Sequence, residues 1–285
     1  MATLATEVSN VLELKGLSKT FVNPDGKPFQ AIRDVNLAIP DEPDKGAFRV
    51  FLGPSGCGKS TILSIVAGLT SPTSGQALLR GKPIQGPGPD RGMVFQNYSS
   101  YPWLTVLDNV SFGLKLRGVP KGEREDRART WIKKVGIEGS ERKYPKQLSG
   151  GMRQRVAIAR TLVVKPQIIL MDEPFGALDV QTRLGMQNLI NELWEEMEGT
   201  ILFVTHDIPE AVYLADVIHI LSPGPGTFVG EVTVDLPLHR TEDLKRSARF
   251  RELETTVLEK IREQVRGGNR GSRREAPAEA PAVVG

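Results

Sequence analysis

A glycine-rich run in the first quarter of the chain contains the residue types that bind phosphate. The run GPSGCGKST, residues 53–61, follows the apolar segment FRVFL and leads into the helical pattern TILSIVAGL. Its three glycines let the backbone curl so that successive N–H groups point at phosphate oxygens. Lys59 can reach the β- and γ-phosphates, and Ser60 can offer its hydroxyl to Mg²⁺. The pattern predicts a nucleoside triphosphate site formed by Gly53, Pro54, Ser55, Gly56, Cys57, Gly58, Lys59, Ser60 and Thr61.

Two adjacent acids close a second apolar segment and could complete a hydrolytic site. In IILMDEP, Asp172 and Glu173 directly follow four apolar residues that indicate a buried strand. Asp172 can hold Mg²⁺ through water, and Glu173 can orient or deprotonate the water that attacks the terminal phosphate. An acid pair in a chain with a phosphate loop therefore predicts hydrolysis of the bound nucleotide.

A third run, KQLSGGMRQRVAIAR at residues 146–160, begins a basic helix with a serine and two glycines. Ser149 is a good helix N-cap, and Gly150 and Gly151 leave backbone N–H groups open to an anion. Nothing nearby in the sequence supplies the other contacts of such an anion. The run by itself leaves open what this helix faces.

The elements that position these three segments are predicted to be strands and helices that alternate along the chain. RDVNLAI, residues 33–39, alternates as a half-buried strand does, whereas FRVFL and QIILM indicate fully buried strands of a parallel sheet. Apolar residues at helical spacing lie between and after these strands: Ala128, Trp131, Ile132 and Val135, then Val156, Ala159 and Val163, then Ile190, Leu193, Trp194 and Met197. Strands interleaved with helices predict an α/β fold.

The composition of the 285 residues argues against several classes of protein. Hydrophobic residues make up 39% and charged residues 25%, as in ordinary globular proteins. The net charge of +3 is too small to indicate nucleic acid as a main partner. The single cysteine, Cys57, excludes an internal disulfide framework and fits a reducing compartment. No apolar run reaches the 18 residues of a membrane span and the N-terminus lacks the features of a secretory signal, so the cytoplasm is expected.

Both ends of the chain are predicted to lie outside the main domain. Residues 1–10 are interpreted as an N-terminal extension. The alternating strand EVTVDL is followed by a predicted helix at 241–266, with one apolar face formed by Phe250, Leu253, Val257, Ile261 and Val265. Residues 267–285 are rich in Gly, Arg, Ala and Pro. They are predicted to be a disordered tail because they bury too little apolar surface to offset the entropy of ordering.

The phosphate loop, LSGGM and the Asp172–Glu173 strand end occur in an order that is typical of one family. The chain resembles the ATP-binding subunits of ABC transporters, and the resemblance covers Val11 to Leu236. It implies a P-loop ABC-type nucleotide-binding domain at 11–240, with a mostly parallel core sheet, an antiparallel β subdomain and a helical subdomain at about 97–165. It also implies an ATP hydrolase that uses ATP and Mg²⁺.

The resemblance assigns further roles by position. Phe21 in LSKTF is implied to stack on adenine, and Gln96 in VFQNYS to sense the γ-phosphate and bind Mg²⁺ or the attacking water. His206 in VTHD is implied to contact the γ-phosphate and Glu173, which makes the expected catalytic group Glu173, His206 and Gln96. The expected metal ligands are Ser60, Gln96 and Asp172. Taken alone, Phe21 and His206 would each be interpreted as core residues.

The resemblance also suggests what the basic helix faces. Ser149, Gly150, Gly151 and Met152 are implied to act in trans, completing an ATP site on a second ATP-binding subunit, identical or paralogous. Asp179 in GALD is implied to lie on a loop that faces this partner. Met152 stands where the family most often has glutamine, and Phe21 where it usually has tyrosine. The residues that would contact phosphate are intact, and phenylalanine keeps the stacking face.

An aromatic stretch, NYSSYPWLT, follows Gln96 and coincides with the family's docking region for the membrane subunit. A transmembrane permease is expected to dock near Tyr98–Thr105, but local packing of Tyr98, Tyr101 and Trp103 explains the aromatics equally well. The sequence YPWLTVLDNV looks most like importers of nitrate, sulfonate, taurine or bicarbonate. The resemblance implies a peripheral subunit on the cytoplasmic face of the inner membrane, with an extracytoplasmic solute-binding protein as an indirect partner.

The alternative is a soluble ABC-type ATPase that acts on nucleic acid or ribosomes. Chromosome-maintenance members would need long heptad insertions between the phosphate loop and LSGGM, and this interval has none. Translation-type members carry two cassettes in one chain, whereas one is found here. The basic C-terminal residues are the remaining support for the alternative, so the importer ATPase is favoured and no nucleic-acid partner is expected.

Overall fold

The computed structural model describes residues 9–41, 46–97 and 99–271, the last eight of these by their backbone alone. Residues 1–8 of the predicted N-terminal extension, Tyr98, and residues 272–285 of the predicted tail lie outside the described residues. Strands and helices alternate along most of the described chain, which confirms the predicted α/β class.

A six-stranded sheet forms the centre of the molecule. Its order is β10 (Phe228–Thr233), β9 (Val217–Leu221), β3 (Phe48–Leu52), β8 (Thr200–Thr205), β7 (Ile168–Asp172) and β6 (Arg91–Val94). All neighbouring strands are parallel except β9 and β10. The apolar runs of β3, β7, β8 and β9 are buried, as short continuous apolar strands predict. Because parallel strands end at the same edge, the loops after β3, β6, β7 and β8 come together there.

A smaller antiparallel sheet packs on one face of the central sheet. Its order is β2 (Pro28–Pro40), β1 (Asn10–Val22), β4 (Ser74–Leu79) and β5 (Lys82–Pro83). The side chains of β3 alternate between two cores: Phe51 points toward this antiparallel sheet, while Phe48, Val50 and Leu52 point toward the helices on the opposite face. The carboxyl end of β3 is therefore fixed from both sides.

Seven α-helices complete the described fold: α1 (Lys59–Val66), α2 (Val106–Leu116), α3 (Lys121–Lys134), α4 (Gly150–Leu162), α5 (Val180–Glu195), α6 (Ile208–Leu214) and α7 (Ala248–Gly271). Helices α2, α3 and α4 pack on one another within the range predicted to be a helical subdomain. Five of the described helices begin at a side-chain cap, as helix-start rules predict, and the capping residues are Thr105, Ser149, Asp179, Asp207 and Ser247.

The C-terminal region differs from the single helix predicted at 241–266. It forms a short 3-10 helix at Glu242–Arg246 and then α7, whose backbone continues to Gly271, beyond the predicted end. Ser247 separates the two, and its Oγ accepts a hydrogen bond from Phe250 N at 3.2 Å, which starts α7 with a cap. Among the described helices, none is both long and apolar enough to span a membrane. The domain limits at 11 and 240 stay a prediction.

Candidate functional site

The phosphate loop lies between β3 and α1, as its position in the sequence predicts. Gly56 and Gly58 have φ angles of +77° and +95°, a region that favours glycine, and these residues curl the loop. The Lys59 side chain is buried, and its Nζ donates hydrogen bonds to Gly53 O at 2.7 Å and to Pro54 O at 2.9 Å. The ammonium group is thus held inside the curl, where it can stabilise the charge of a phosphate.

The other loop residues differ in exposure. Ser55 and Ser60 are exposed, Thr61 is half-buried, and the Cys57 thiol is buried. Burial raises the pKa of the Cys57 thiol, and the nearby Lys59 opposes this rise only in part. A buried thiol of raised pKa forms little thiolate, which fits Cys57 as a small packing residue in this loop.

Close backbone contacts join the loop to both sheets. A Cβ atom at Gly58 would lie 2.4 Å from Ile32 Cγ2 and 2.7 Å from Ala31 O, so the loop passes directly over β2. Gly226, in the turn between β9 and β10, contacts the same loop, because a Cβ there would lie 1.8 Å from Cys57 O. The turn and β2 also exchange two backbone hydrogen bonds of 2.9 Å. Neither glycine can carry a side chain without a shift of the backbone around it.

Ser60 and Asp172 meet at the carboxyl edge of the central sheet. Ser60 Oγ donates a hydrogen bond to Asp172 Oδ1 at 2.9 Å. Burial raises the pKa of Asp172, while this hydrogen bond acts to lower it and the adjacent Glu173 adds to the rise. Mg²⁺ prefers oxygen ligands and usually takes only one or two from the protein beside phosphate and water. This pair therefore fits Mg²⁺, although the described residues contain no group of three or more His, Cys, Asp or Glu that could hold a metal.

Glu173 and His206 lie side by side after β7 and β8. His206 Nδ1 is 3.3 Å from Glu173 Oε1, and the His206 side chain is 58% exposed. Glu173 has a φ of +42°, which is uncommon for a residue with a side chain, and its N–H donates to Val204 O at 3.1 Å. Gln96 approaches the same place: a Cβ on Gly176 would lie 3.6 Å from Gln96 Nε2 and 3.9 Å from Glu173 Oε2. A carboxylate, an imidazole and an amide thus surround one small region, which is an arrangement suited to orienting water.

Phe21 lies near the end of β1 and is not a core residue. Its side chain is 39% exposed, and Lys19 Nζ lies 5.1 Å from the centre of its ring. Phe29, also exposed, is its partner across the β1–β2 pair. The exposed ring leaves aromatic surface for stacking, which the core interpretation of Phe21 would not.

The LSGGM segment forms the start of α4. Ser149 Oγ accepts a hydrogen bond from Met152 N at 3.3 Å, so the serine caps the helix. Ser149 is exposed, and Gly150, Gly151 and Met152 are half-buried. Within the described residues, no hydrogen bond joins this segment to the phosphate loop of its own chain.

The start of α5 packs against the same segment. A Cβ on Gly151 would lie 2.5 Å from Thr182 Cγ2. Asp179 caps α5: its carboxylate accepts hydrogen bonds from Thr182 N at 3.0 Å and from Thr182 Oγ1 at 2.7 Å. These bonds lower the pKa of Asp179. Asp179 is exposed, and the structure shows it as a helix cap in its own chain.

The aromatic stretch contains one residue that packs locally and one that is exposed, so each of the two interpretations of this stretch fits part of it. The Tyr101 ring packs on Phe112, with centroids 4.8 Å apart, and under the Arg160 guanidinium at 5.0 Å. Arg160 also donates to Ser99 O and Oγ, both at 2.7 Å, so Tyr101 belongs to a local cluster. Trp103 is 71% exposed although its ring contacts Tyr101. Local packing explains Tyr101, while Trp103 remains available at the surface.

Two charged residues near the acid pair are missed by sequence analysis. Arg183 and Glu210 line a cavity of about 80 Å³ together with Glu173 and His206. Glu210 stands in the first turn of α6, where an acid is ordinary, so its type and position gave no distinctive signal. Arg183 comes from α5, and only the fold brings it to this cavity.

Comparisons with known proteins all find similarity to ABC transporter proteins or ATP-binding subunits. The family profile described as ABC transporter matches residues 33–176. An uncharacterized ABC transporter ATP-binding protein of Methanocaldococcus jannaschii is 48% identical over 253 residues, which cover 89% of this chain and 92% of that protein. The nitrate import ATP-binding protein of Synechocystis sp. is 45% identical over 245 residues, covering 84% of this chain and 90% of that protein.

Two further relatives extend the comparison. The taurine import ATP-binding protein of Escherichia coli is 45% identical over 253 residues, covering 87% of this chain and 97% of that protein. A dimeric structure of an ATP-binding cassette in a post-hydrolysis state, bound to ADP and phosphate, has a TM-score of 0.69. It is 34% identical and covers 79% of this chain and 100% of that chain. The relatives found by sequence and the structure found by fold are thus all ATP-binding proteins.

Proposed function

Since this chain belongs to the ABC transporter family as one of its ATP-hydrolysing, ATP-binding subunits, we propose that it powers solute import together with separate permease and binding-protein subunits. We infer that the solute is a small anion such as nitrate, sulfonate, taurine or bicarbonate. This inference is supported by the relatives named for nitrate import and taurine import, each about 45% identical. The proposed location is the cytoplasmic face of the inner membrane.

The observation that carries the proposed chemistry is the convergence of four side chains at one edge of the sheet. Ser60 lies 2.9 Å from Asp172, and Glu173 lies 3.3 Å from His206, although the motifs are far apart in sequence. We propose that Glu173 orients and deprotonates the attacking water and that His206 and Gln96 contact the γ-phosphate. Residues 53–61 would bind the phosphates through backbone N–H groups, and Phe21 would stack on adenine.

Mg²⁺ is assigned to the same edge. Ser60, Gln96 and Asp172 would hold it, Asp172 through water, and its charge would offset the charge of the β- and γ-phosphates. Lys59 would release its two backbone acceptors to meet the same phosphates, because a phosphate oxygen is a stronger acceptor than a carbonyl.

A second ATP-binding subunit, identical or paralogous, is proposed to complete each site. Ser149 caps α4 by accepting from Met152 N, and Gly150 and Gly151 stand in the first turn, whose N–H groups have no partner within a helix. Among the described residues, no hydrogen bond joins this segment to the phosphate loop of its own chain. Asp179 would face this partner. The dimeric cassette structure with TM-score 0.69 supports such a pairing. ATP would then hold two chains together, and hydrolysis would release them.

Replacement of Glu173 tests this function. Glu173→Gln keeps the shape of the side chain and removes the base, so we expect turnover to fall at least about 100-fold while ATP still binds. An ATP-bound dimer should accumulate, measured by light scattering with and without ATP. The control is Glu138→Gln, the same change at an exposed residue of the helical region, which should keep the parent rate. A Glu173→Gln protein that stays monomeric with ATP, or that hydrolyses ATP normally, contradicts the proposal.

A further inference from the structure

The buried carboxylate of Glu210 lies beside the same cavity as His206. Glu210, in the first turn of α6, is 6% exposed. It borders the cavity of about 80 Å³ that Glu173 and His206 also line. A buried carboxylate is costly unless hydrogen bonds satisfy it, so its partners indicate what it holds in place.

Glu210 is tied to both neighbours of His206. Its backbone N–H donates to Asp207 Oδ1 at 2.8 Å, and Asp207 N donates to Thr205 Oγ1 at 3.0 Å. Burial raises the pKa of Glu210 on balance, although the Thr205 hydroxyl acts to lower it, and both residues line the cavity beside His206. Two hydrogen bonds therefore link Thr205, Asp207 and the buried Glu210 in series around His206.

A relay of polar groups connects Glu210 to the C-terminal 3-10 helix. Gln187 Nε2, on α5, donates to Glu210 Oε1 at 3.1 Å, and Lys245 Nζ donates to Gln187 Oε1 at 2.8 Å. The Lys245 ammonium lies 3.9 Å from the centre of the Tyr213 ring, a second contact that fixes it. The Gln187 amide is thus oriented by the Glu210 carboxylate at its nitrogen and by the Lys245 ammonium at its oxygen. This orientation holds the Glu210 carboxylate in one position.

The position of His206 depends on this support. Its side chain is more than half exposed, and its contact with Glu173 at 3.3 Å is longer than a strong charged hydrogen bond. The imidazole ring of His206 therefore stays in place mainly because the backbone that carries it is fixed. A displacement of about 1 Å in a reacting group can lower a rate by about 100-fold.

We propose that Glu210 is a positioning residue for ATP hydrolysis, which holds His206 beside Glu173 and is itself held by Lys245 through Gln187. This inference rests on the proposed function of the chain as an ATP hydrolase whose His206 acts in the site. It adds a role for α5 and for the C-terminal 3-10 helix, whose residues lie outside the nucleotide-binding motifs.

The first experiment measures ATP hydrolysis by variants of the full chain. Glu210→Ala should lower kcat at least about tenfold and leave KM for ATP within about twofold. Glu210→Gln should stay within about threefold of the parent, because its amide oxygen still accepts from Gln187. Lys245→Met, which frees the Gln187 amide, should lower kcat about threefold.

The matched control is Asn191→Ala. Asn191 is also buried on α5 and donates to Tyr213 O of α6 at 3.5 Å, and no hydrogen bond found among the described residues joins it to Thr205, Asp207 or Glu210. Its removal should loosen the same pair of helices and leave kcat within about twofold. An equal loss of kcat in Asn191→Ala and Glu210→Ala overturns the positioning role, as does a Glu210→Ala variant with the parent kcat.

A double variant distinguishes positioning from general destabilisation. If Glu210 acts through His206, then adding Glu210→Ala to His206→Ala lowers kcat no further. The low rates are read as release of radioactive phosphate at high enzyme concentration, and losses that multiply refute the proposal. Should Glu210→Ala fail to fold, Glu210→Asp, which shortens the side chain and keeps its charge, takes its place in the same cycle. A parent chain that does not hydrolyse ATP refutes the proposed function, and this inference with it.

Discussion

The contact between Gly151 and Thr182 allows a sharp test of packing at the start of α4. A Cβ on Gly151 would lie 2.5 Å from Thr182 Cγ2, whereas ordinary contacts begin at 3.4 Å, so alanine needs about 1 Å more room than is present. Thr182 cannot simply rotate its methyl group away. Its hydroxyl donates to Asp179 Oδ2 at 2.7 Å, and a β-branched side chain has few alternative rotamers.

The expected energies follow from this geometry. Gly151→Ala adds an overpacking cost of about 1–3 kcal/mol. Alanine also favours a helix over glycine by about 1 kcal/mol, so the net destabilisation is about 0–2 kcal/mol. Thr182→Ser removes the methyl group and keeps the hydroxyl that donates to Asp179. In that background, Gly151→Ala should be neutral or should stabilise the protein by up to about 1 kcal/mol.

The assay is a double-mutant cycle in urea, followed by circular dichroism. The free energies of unfolding of the parent, Gly151→Ala, Thr182→Ser and the double variant give a coupling energy between the two sites. We expect about 1–3 kcal/mol in favour of the double variant. A coupling energy below about 0.5 kcal/mol would show that the two helices have room for the extra methyl, which refutes the packing described here.

Two further predictions concern the surface and a buried histidine. Trp103→Ala should leave basal ATP hydrolysis unchanged but weaken permease co-purification, since loss of an exposed interface tryptophan costs about 2 kcal/mol, roughly 30-fold in affinity. Val22→Ala, at another exposed site, is its control, and unchanged co-purification of Trp103→Ala would count against docking there. Burial and Arg49 lower the pKa of His219 to about 4, while the exposed Glu231, 3.2 Å away, is too solvated to reverse this. Because the unfolded state, with a pKa of 6.5, binds more protons between these values, stability should fall as pH drops through this range. At pH 5 the free energy of unfolding should be about 2 kcal/mol lower than at pH 7. Urea unfolding of His219→Phe should not show this pH-dependent decrease.

Much of the site follows from local patterns in the sequence. The apolar FRVFL and the glycines after it specify a strand and a curled loop, and IILM followed by two acids specifies a second strand end. Because both strands are parallel members of one sheet, their ends meet, and Ser60 lies 2.9 Å from Asp172. The motifs predicted two parts of one hydrolytic site, and the parallel sheet supplies the physical reason why the two parts meet.

Other features depend on contacts that no local pattern contains. Tyr101 and Trp103 are two residues apart in one loop, yet Tyr101 is covered because Arg160 reaches it from α4. Glu210 acquires its setting from Gln187 and, through that amide, from Lys245. Such arrangements arise only when distant segments pack together, so periodicity cannot identify them.

The start of the C-terminal helix was missed for a different reason. Apolar spacing from Phe250 onward specified the face of the helix correctly, since Phe250, Leu253 and Val257 are buried. The predicted start near Thr241 was too early, because Ser247, which directly precedes the helical pattern, caps the helix instead.

The junction at Gly58 limits how this molecule can change. Most side-chain contacts can be rebuilt in pairs, because a larger residue on one side can be matched by a smaller one on the other. At Gly58 and Gly226 the neighbours are largely main-chain atoms, Ala31 O and Cys57 O, and these cannot be traded for anything smaller. Substitutions can therefore accumulate through both sheets while the spacing between them at the phosphate loop stays constant. The spacing between the two sheets at this loop is therefore limited mainly by main-chain oxygens, which no substitution can make smaller.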